Sequence, residues 1–271
     1  ELAIMKGRVD GLEARVNGIE AGGFSDTTTM SGTAAFLVGA ESKDGNSGEA
    51  AMFEYFYEVD LNTSFTGEDN LNVEFETGNA SGSGVGATLD WGSSNSDVLK
   101  VTDVNYKFPV GEWSLAVGES MDASATWPNA CAVSNTVDSL GDCGAGNSVD
   151  LGGDVSFSAS RAFGDGWEIG LGVSAASGEE VNRGAFTKEG DDYYGIALGY
   201  ESDTYGFTVA YSMKEKTDLG SGVEETGGDK WDATDTQTDS TYYGLVGYYS
   251  PESAPVTFSG GVELTDVEGT D

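Results

Sequence analysis

Residues 55 to 78, YFYEVDLNTSFTGEDNLNVEFETG, repeat with a period of two, and this constrains the chain more than any other feature. Tyr55, Tyr57, Val59, Leu61, Thr63 and Phe65 form one row, and Phe56, Glu58, Asp60, Asn62 and Ser64 form the other. An extended backbone sends these rows to opposite sides, apolar on one and, Phe56 apart, acidic and polar on the other. After Thr66-Gly67-Glu68-Asp69-Asn70 the alternation resumes, with Leu71, Val73, Phe75 and Thr77 against Asn72, Glu74 and Glu76. The pattern predicts a strand, a tight turn and an antiparallel partner. A soluble sandwich would turn the polar side outward and a transmembrane barrel would turn it to a wet lumen, so one hairpin leaves both open.

The remaining chain favours the barrel. About eleven strands are predicted, near 29–39, 54–65, 70–78, 98–108, 111–119, 149–160, 166–175, 192–201, 204–213, 241–250 and 256–264. The 98–108 strand switches face near Asp103-Val104, which predicts a bulge or a shifted register. Long connections at 40–53, 79–97, 120–148, 176–191 and 214–240 alternate with short ones at 66–69, 109–110, 162–165, 202–203 and 251–255. Short turns at one end and long polar loops at the other are the habit of a membrane barrel, whereas a Greek-key sandwich has no reason to keep that parity. Tyr and Trp recur at strand ends, among them Tyr106, Trp113, Trp167, Tyr200, Tyr205 and Tyr248, where an amphipathic ring suits a membrane interface. The stretch VGATLDW at 85–91 is read as loop, because a strand there would break the parity.

The first twenty residues differ. Leu2, Met5, Val9, Leu12, Val16 and Ile19 are spaced 3, 4, 3, 4, 3, an a/d seam, with charged residues on the other faces. This predicts a short coiled-coil helix over 1–21, or alternatively an amphipathic helix packed on the domain, ahead of a β region over 24–271. Gly7, Gly11 and Gly18 weaken either helix by about 1 kcal/mol each.

With 12 Lys and Arg against 47 Asp and Glu, the net charge is −35, which argues against a nucleic-acid or anionic-lipid surface and favours an acidic lumen or exterior. There is no His, and no metal or catalytic motif, so no cofactor is expected and the chain reads as a non-enzyme. Cys131 and Cys143 are either two free thiols or, in an oxidising compartment, one disulfide. No apolar run approaches the length of a membrane-spanning helix.

The runs LNTSFTGEDNLNVEFETGNA (61–80), ELAIMKGRVDGLEARVNGIEAGGFSDTTTMSG (1–32), VTDVNYKFPVGEWSLAVGE (101–119) and, more diffusely, FSASRAFGDGWEIGLGVSAASG (157–178) resemble cyanobacterial outer-membrane porins related to the carbohydrate-selective porin family. The resemblance implies a periplasmic wall-binding domain, a coiled coil and an antiparallel transmembrane β-barrel of about 16 strands. It also implies location in the outer membrane among its lipids, a homotrimer, and contact with peptidoglycan through a domain this chain lacks. On that reading the chain starts in the coiled coil and stops before the barrel closes. The third long loop of the family narrows the pore; 120–148 matches it, WPNACAVSN (127–135) is similar to the family's Trp-Pro stretch, and Cys131 and Cys143 could staple it. Beyond residue 24 the only arginines are Arg161 and Arg183, a departure that weighs against anion preference.

The expected function is passive diffusion of small inorganic ions and small polar solutes, with cations preferred. The expected pore-lining residues are Glu58, Asp60, Asn62, Asn72, Glu74, Glu76, Asp150, Asp154 and Glu168, with Asp122, Asp138 and Asp142 in the constricting loop. The competing expectation is a structural tether between outer membrane and cell wall.

Overall fold

The computed structural model describes residues 27–40, 51–80, 91, 97–132, 142–176, 178–179, 181, 184–187, 190–215 and 239–268. These form β1 (Thr28–Gly39), β2 (Met52–Thr63), β3 (Asn70–Gly78), β4 (Lys100–Val110), β5 (Trp113–Glu119), a one-turn helix α1 (Gly146–Val149), β6 (Val155–Phe163), β7 (Trp167–Ala175), β8 (Asp192–Glu201), β9 (Tyr205–Lys214), β10 (Ser240–Tyr249) and β11 (Phe258–Val267). The eleven strands make one antiparallel sheet in sequence order, each bonded to its neighbours in the chain.

Register carries the two-row pattern of the central hairpin across the whole sheet. Asp60 stands opposite Ser31 and Glu74, Glu74 opposite Asp103, Asn105 opposite Gly118, and Gly118 opposite Ser156. The same face continues through Ser174, Tyr193, Lys214 and Ser240. The other face carries Val59, Phe75, Val101, Leu115, Ala159, Leu171, Ile196, Tyr211, Tyr243 and Leu264. The register slips between Glu74 and Phe75, where β4 puts Thr102 in as an extra residue. This bulge is the face switch expected near Asp103, and it lets both Val101 and Val104 stay on the apolar side.

That apolar side is bare. Phe36 is 84% exposed, Val209 50%, Leu245 47% and Leu264 66%. An exposed apolar face of this extent marks a surface that another apolar phase or another protein covers. At the short-turn end, rings gather on it: Trp167 lies 5.1 Å from Tyr200 and 5.8 Å from Phe207, and Tyr106 stacks on Phe108 at 5.1 Å. The turn between β6 and β7 needs glycine, since Gly166 has φ +82° and a Cβ there would sit 2.2 Å from the Glu201 carbonyl oxygen.

Two expectations are corrected. The strands do not close into a barrel: β1 pairs with β2 alone and β11 with β10 alone, leaving an open sheet with two edges. The physical reason is strand direction: in an antiparallel sheet that runs in sequence order, the first and the eleventh strand point the same way, so these two edges cannot complete the antiparallel ladder. No long helix occurs among the described residues, and the coiled coil expected over 1–21 lies outside them. The strand expected to start at 149 starts at Val155, because residues 146–149 coil into α1 and 150–154 pack as part of the connection.

The core therefore lies between the sheet and this connection. Ala123, Trp127, Ala130, Ala145, Val149 and Leu151 bury themselves against Tyr193, Ala197, Ala210 and Val246 of β8, β9 and β10.

Candidate functional site

The inner face is divided into a part that carries the connection between β5 and β6 and an acidic part. Over β5 to β11 the strands present small residues, and these form the bed on which the connection lies. A Cβ on Gly170 or Gly195 would fall 2.6 or 2.3 Å from the Trp127 ring, one on Gly172 2.0 Å from the Ala123 carbonyl oxygen, and one on Gly199 2.5 Å from Pro128. Hydroxyls on the same strands catch the backbone: Thr126 N–H donates to Ser158 Oγ (3.2 Å), Ala130 N–H to Thr208 Oγ1 (3.1 Å) and Ala132 N–H to Ser259 Oγ (3.0 Å). The two described limbs, 121–132 and 142–151, are tied to each other as well. Ala123 N–H donates to the Leu151 carbonyl (2.8 Å), Leu151 N–H to Ser124 Oγ (3.0 Å), and Cys131 is disulfide-bonded to Cys143 with Cα atoms 5.7 Å apart.

Over β1 to β4 the inner face is acidic. Glu58 stands directly opposite Glu76, Asp60 opposite Glu74, and Glu74 opposite Asp103 on its other side. Like charges in register across strands destabilise a sheet unless water or counter-ions screen them. Amides and a hydroxyl are interleaved among them. Asn72 Nδ2 donates to Asp60 Oδ1 (3.0 Å), Asn70 Nδ2 to Asn62 Oδ1 (2.8 Å), Thr102 Oγ1 to Glu74 Oε1 (2.8 Å) and Asn105 Nδ2 to Asp103 Oδ2 (3.0 Å). Lys100 faces Glu76 at the long-loop end, and Lys107, facing Asn70 at the short-turn end, donates from Nζ to the Ala125 carbonyl of the connection (3.3 Å).

Of the expected lining residues, Glu58, Asp60, Asn62, Asn72, Glu74 and Glu76 come together on this face. Glu168 shares the face but lies on β7, opposite Ala162 and Gly199, away from the acidic group. Asp150 and Asp154 are not on a strand: Asp150 Oδ1 accepts from Ser124 Oγ (3.1 Å), and Asp154 N–H donates to Ser174 Oγ (3.0 Å), both where the connection rejoins β6. Asp122 is exposed at the start of the connection, and Asp142 Oδ1 accepts from Asn129 Nδ2 (3.5 Å) across its two limbs. Asp138 lies outside the described residues. Arg161, the one arginine among the described residues, is on the apolar face and pairs with Glu112 in the β4–β5 turn.

Sequence reasoning passed over Glu54 and Asp103. Glu54 has the parity of Glu58 and is buried on the inner face, so extending the row two residues back finds it. Asp103 needed the bulge to be placed. The bed of small residues left a visible signal in Gly170, Gly172 and Ser174, but its meaning depends on which connection lies above.

A family model described as "Carbohydrate-selective porin, OprB family" matches residues 1–179. An uncharacterized protein of Nostoc sp. is 35% identical over 127 residues, which cover 41% of this chain and 22% of that protein, so the chain spans well under half of this relative's length. Among solved structures, a loop-deletion variant of OmpT, an outer membrane protein of Vibrio cholerae, aligns with 90% of this chain and 72% of its own at a TM-score of 0.51 and 14% identity. A mutant Rh. blastica porin aligns with 90% of this chain and 86% of its own at a TM-score of 0.48 and 12% identity. The likeness to OmpT concerns the fold, and the family match covers more than half of the sequence. The chain is a member of the carbohydrate-selective porin, OprB family, a protein of the outer membrane.

Proposed function

We propose that the eleven-stranded sheet is channel wall, and that small inorganic ions and small polar solutes diffuse passively along its acidic inner face over β1 to β4, cations in preference to anions. The observation that carries this is the register of the acids: Glu58 with Glu76 and Asp60 with Glu74 sit in opposed pairs on the side away from the exposed apolar rows. Such pairs concentrate counter-cations and raise the barrier to anions. The connection between β5 and β6 supports the same reading, because its buried side chains pack against β8 to β10 and not against the acidic strands. Glu58, Asp60, Asn62, Asn72, Glu74 and Glu76 are the proposed lining, and Asp122 and Asp142 the proposed charges at the constriction. The sole described arginine is turned away from that lining, which supports ions over a sugar-specific path. The assembly is inferred to be a homotrimer from the family resemblance, and cross-linking of intact outer membranes that gave only monomer would contradict this.

The test is single-channel recording of the protein purified from outer membranes, with the reversal potential taken in a KCl gradient. Cation-selective ohmic steps are expected, and the combined variant Glu58→Gln, Asp60→Asn, Glu74→Gln, Glu76→Gln should move the reversal potential toward zero. Anion-selective steps from the unsubstituted protein would reject the proposed lining.

A further inference from the structure

The limb 142–151 is fastened by a polar device that none of the lining residues supplies. Glu263 of β11 accepts at Oε1 from Asn147 Nδ2 (3.1 Å), and at Oε2 from Ser148 N–H (2.8 Å) and the Ser148 hydroxyl (2.8 Å). The other end of the Asn147 carboxamide, Oδ1, accepts from Lys214 Nζ of β9 (3.0 Å). That ammonium is buried over the rings of Tyr193 and Tyr242, 5.7 and 5.3 Å from their centroids. One neutral amide thus bridges a cation on β9 and an anion on β11, and each end is polarised in the sense its partner favours. The wall is shaped for this. Gly244, which faces Glu263 across β10 and β11, leaves the space that Ser148 enters, since a Cβ there would fall 2.0 Å from Ser148 Oγ. Ser148 itself is fully buried, and its carbonyl accepts from Ser212 Oγ (2.9 Å).

Lys214 is buried and Glu263 half-buried, and Glu263 directs both carboxylate oxygens to the limb. We propose that Lys214 and Glu263 are positioning residues: by gripping Asn147 and Ser148 from two strands, they fix how far this limb leans toward the acidic wall, and thereby the width of the path. The inference rests on the channel reading above and adds to it the residues that set the constriction, none of which touches the solute.

The experiment pairs amide hydrogen exchange at Ser148 with single-channel recording, on protein purified from outer membranes. Glu263→Ala should speed exchange of the Ser148 amide by about ten-fold or more, because the bond that closes it is gone. The same variant should show a changed unit conductance and added open-channel noise. Glu263→Gln keeps an acceptor for Ser148 N–H and should restore both toward the unsubstituted protein. If Glu263→Ala does not assemble, Lys214→Met is read by the same two measurements, with the same expectation. Unchanged exchange would overturn the latch, and faster exchange with unchanged conductance and noise would overturn its positioning role. An unsubstituted protein that forms no channels would fail the channel reading, while the exchange result would still judge the latch.

Discussion

Asp69 shows how one side chain organises a turn. Its Oδ1 accepts from Thr66 N–H and Oγ1 (both 2.7 Å), Ser64 Oγ (2.9 Å) and Phe65 N–H (3.0 Å), and its Oδ2 from the Tyr106 hydroxyl (2.6 Å). The Tyr106 hydroxyl above all, against the opposing effect of burial and together with the Thr66 and Ser64 donors, holds this carboxyl well below the usual carboxylate range. A depressed folded-state value means that its stabilisation is complete above the unfolded value of about 3.9 and is lost as pH falls through the folded one. Asp69→Asn should therefore remove part of the acid sensitivity of the β2–β3 hairpin, seen as a flatter acid titration of the near-ultraviolet circular dichroism. An unaltered acid transition would show that the turn does not depend on this charge. On the bed of small residues, Gly172→Ala places a methyl group against the Ala123 carbonyl, and the connection must shift. The expected loss is about 1–3 kcal/mol, measured by urea unfolding in detergent. Trp127→Ala, which empties the ring's seat, should cost about 3–5 kcal/mol in the same assay.

At the scale of elements, the strands were legible and their partner was not. Period two is a local property, so the rows from Glu58 to Glu76 could be read before any fold was known, and the same holds for the number of strands and the parity of the connections. The β5–β6 connection was harder. Asp150 and Asp154 alternate with apolar residues as a strand would, yet Val149 and Leu151 are fully buried against β8 to β10 and the backbone turns through α1 instead. Tertiary packing overrode the local pattern there, and no local signal distinguishes a residue that faces a wall from one that faces a loop. Lys214 and Glu263 were invisible for the same reason: their partners Asn147 and Ser148 lie 67 and 115 residues away in sequence. The Cys131–Cys143 bond joins two limbs that are each held to the sheet separately. Replacing both cysteines by serine should cost about 2–3 kcal/mol by the loop-closure argument, measured as a shift in the unfolding midpoint. A variant as stable as the parent would mean that the wall contacts alone set the limbs.

At the scale of the whole molecule, the described residues form a sheet with two chemically opposed faces, one of which carries a connection of the same chain. The expected barrel is the reading that failed: strand periodicity counts strands without saying whether their ends can pair, and eleven antiparallel strands leave two edges that run in the same direction. The apolar face makes a prediction of its own. Leu245→Arg puts a charge in the middle of the exposed rows, and a loss of about 2–4 kcal/mol is expected in lipid if this residue lies near the bilayer midplane. The same change should matter little if that face meets water. The most direct test of the account follows both faces along one strand: nitroxide labels at successive positions from Tyr57 to Leu61 of β2, in protein reconstituted into bilayers, probed with oxygen and with a water-soluble nickel complex. Labels at 57, 59 and 61 should collide with oxygen and those at 58 and 60 with nickel, alternating without a break. Nickel access at all five positions, or an inverted alternation, would contradict the assignment of a lipid face and an aqueous acidic path.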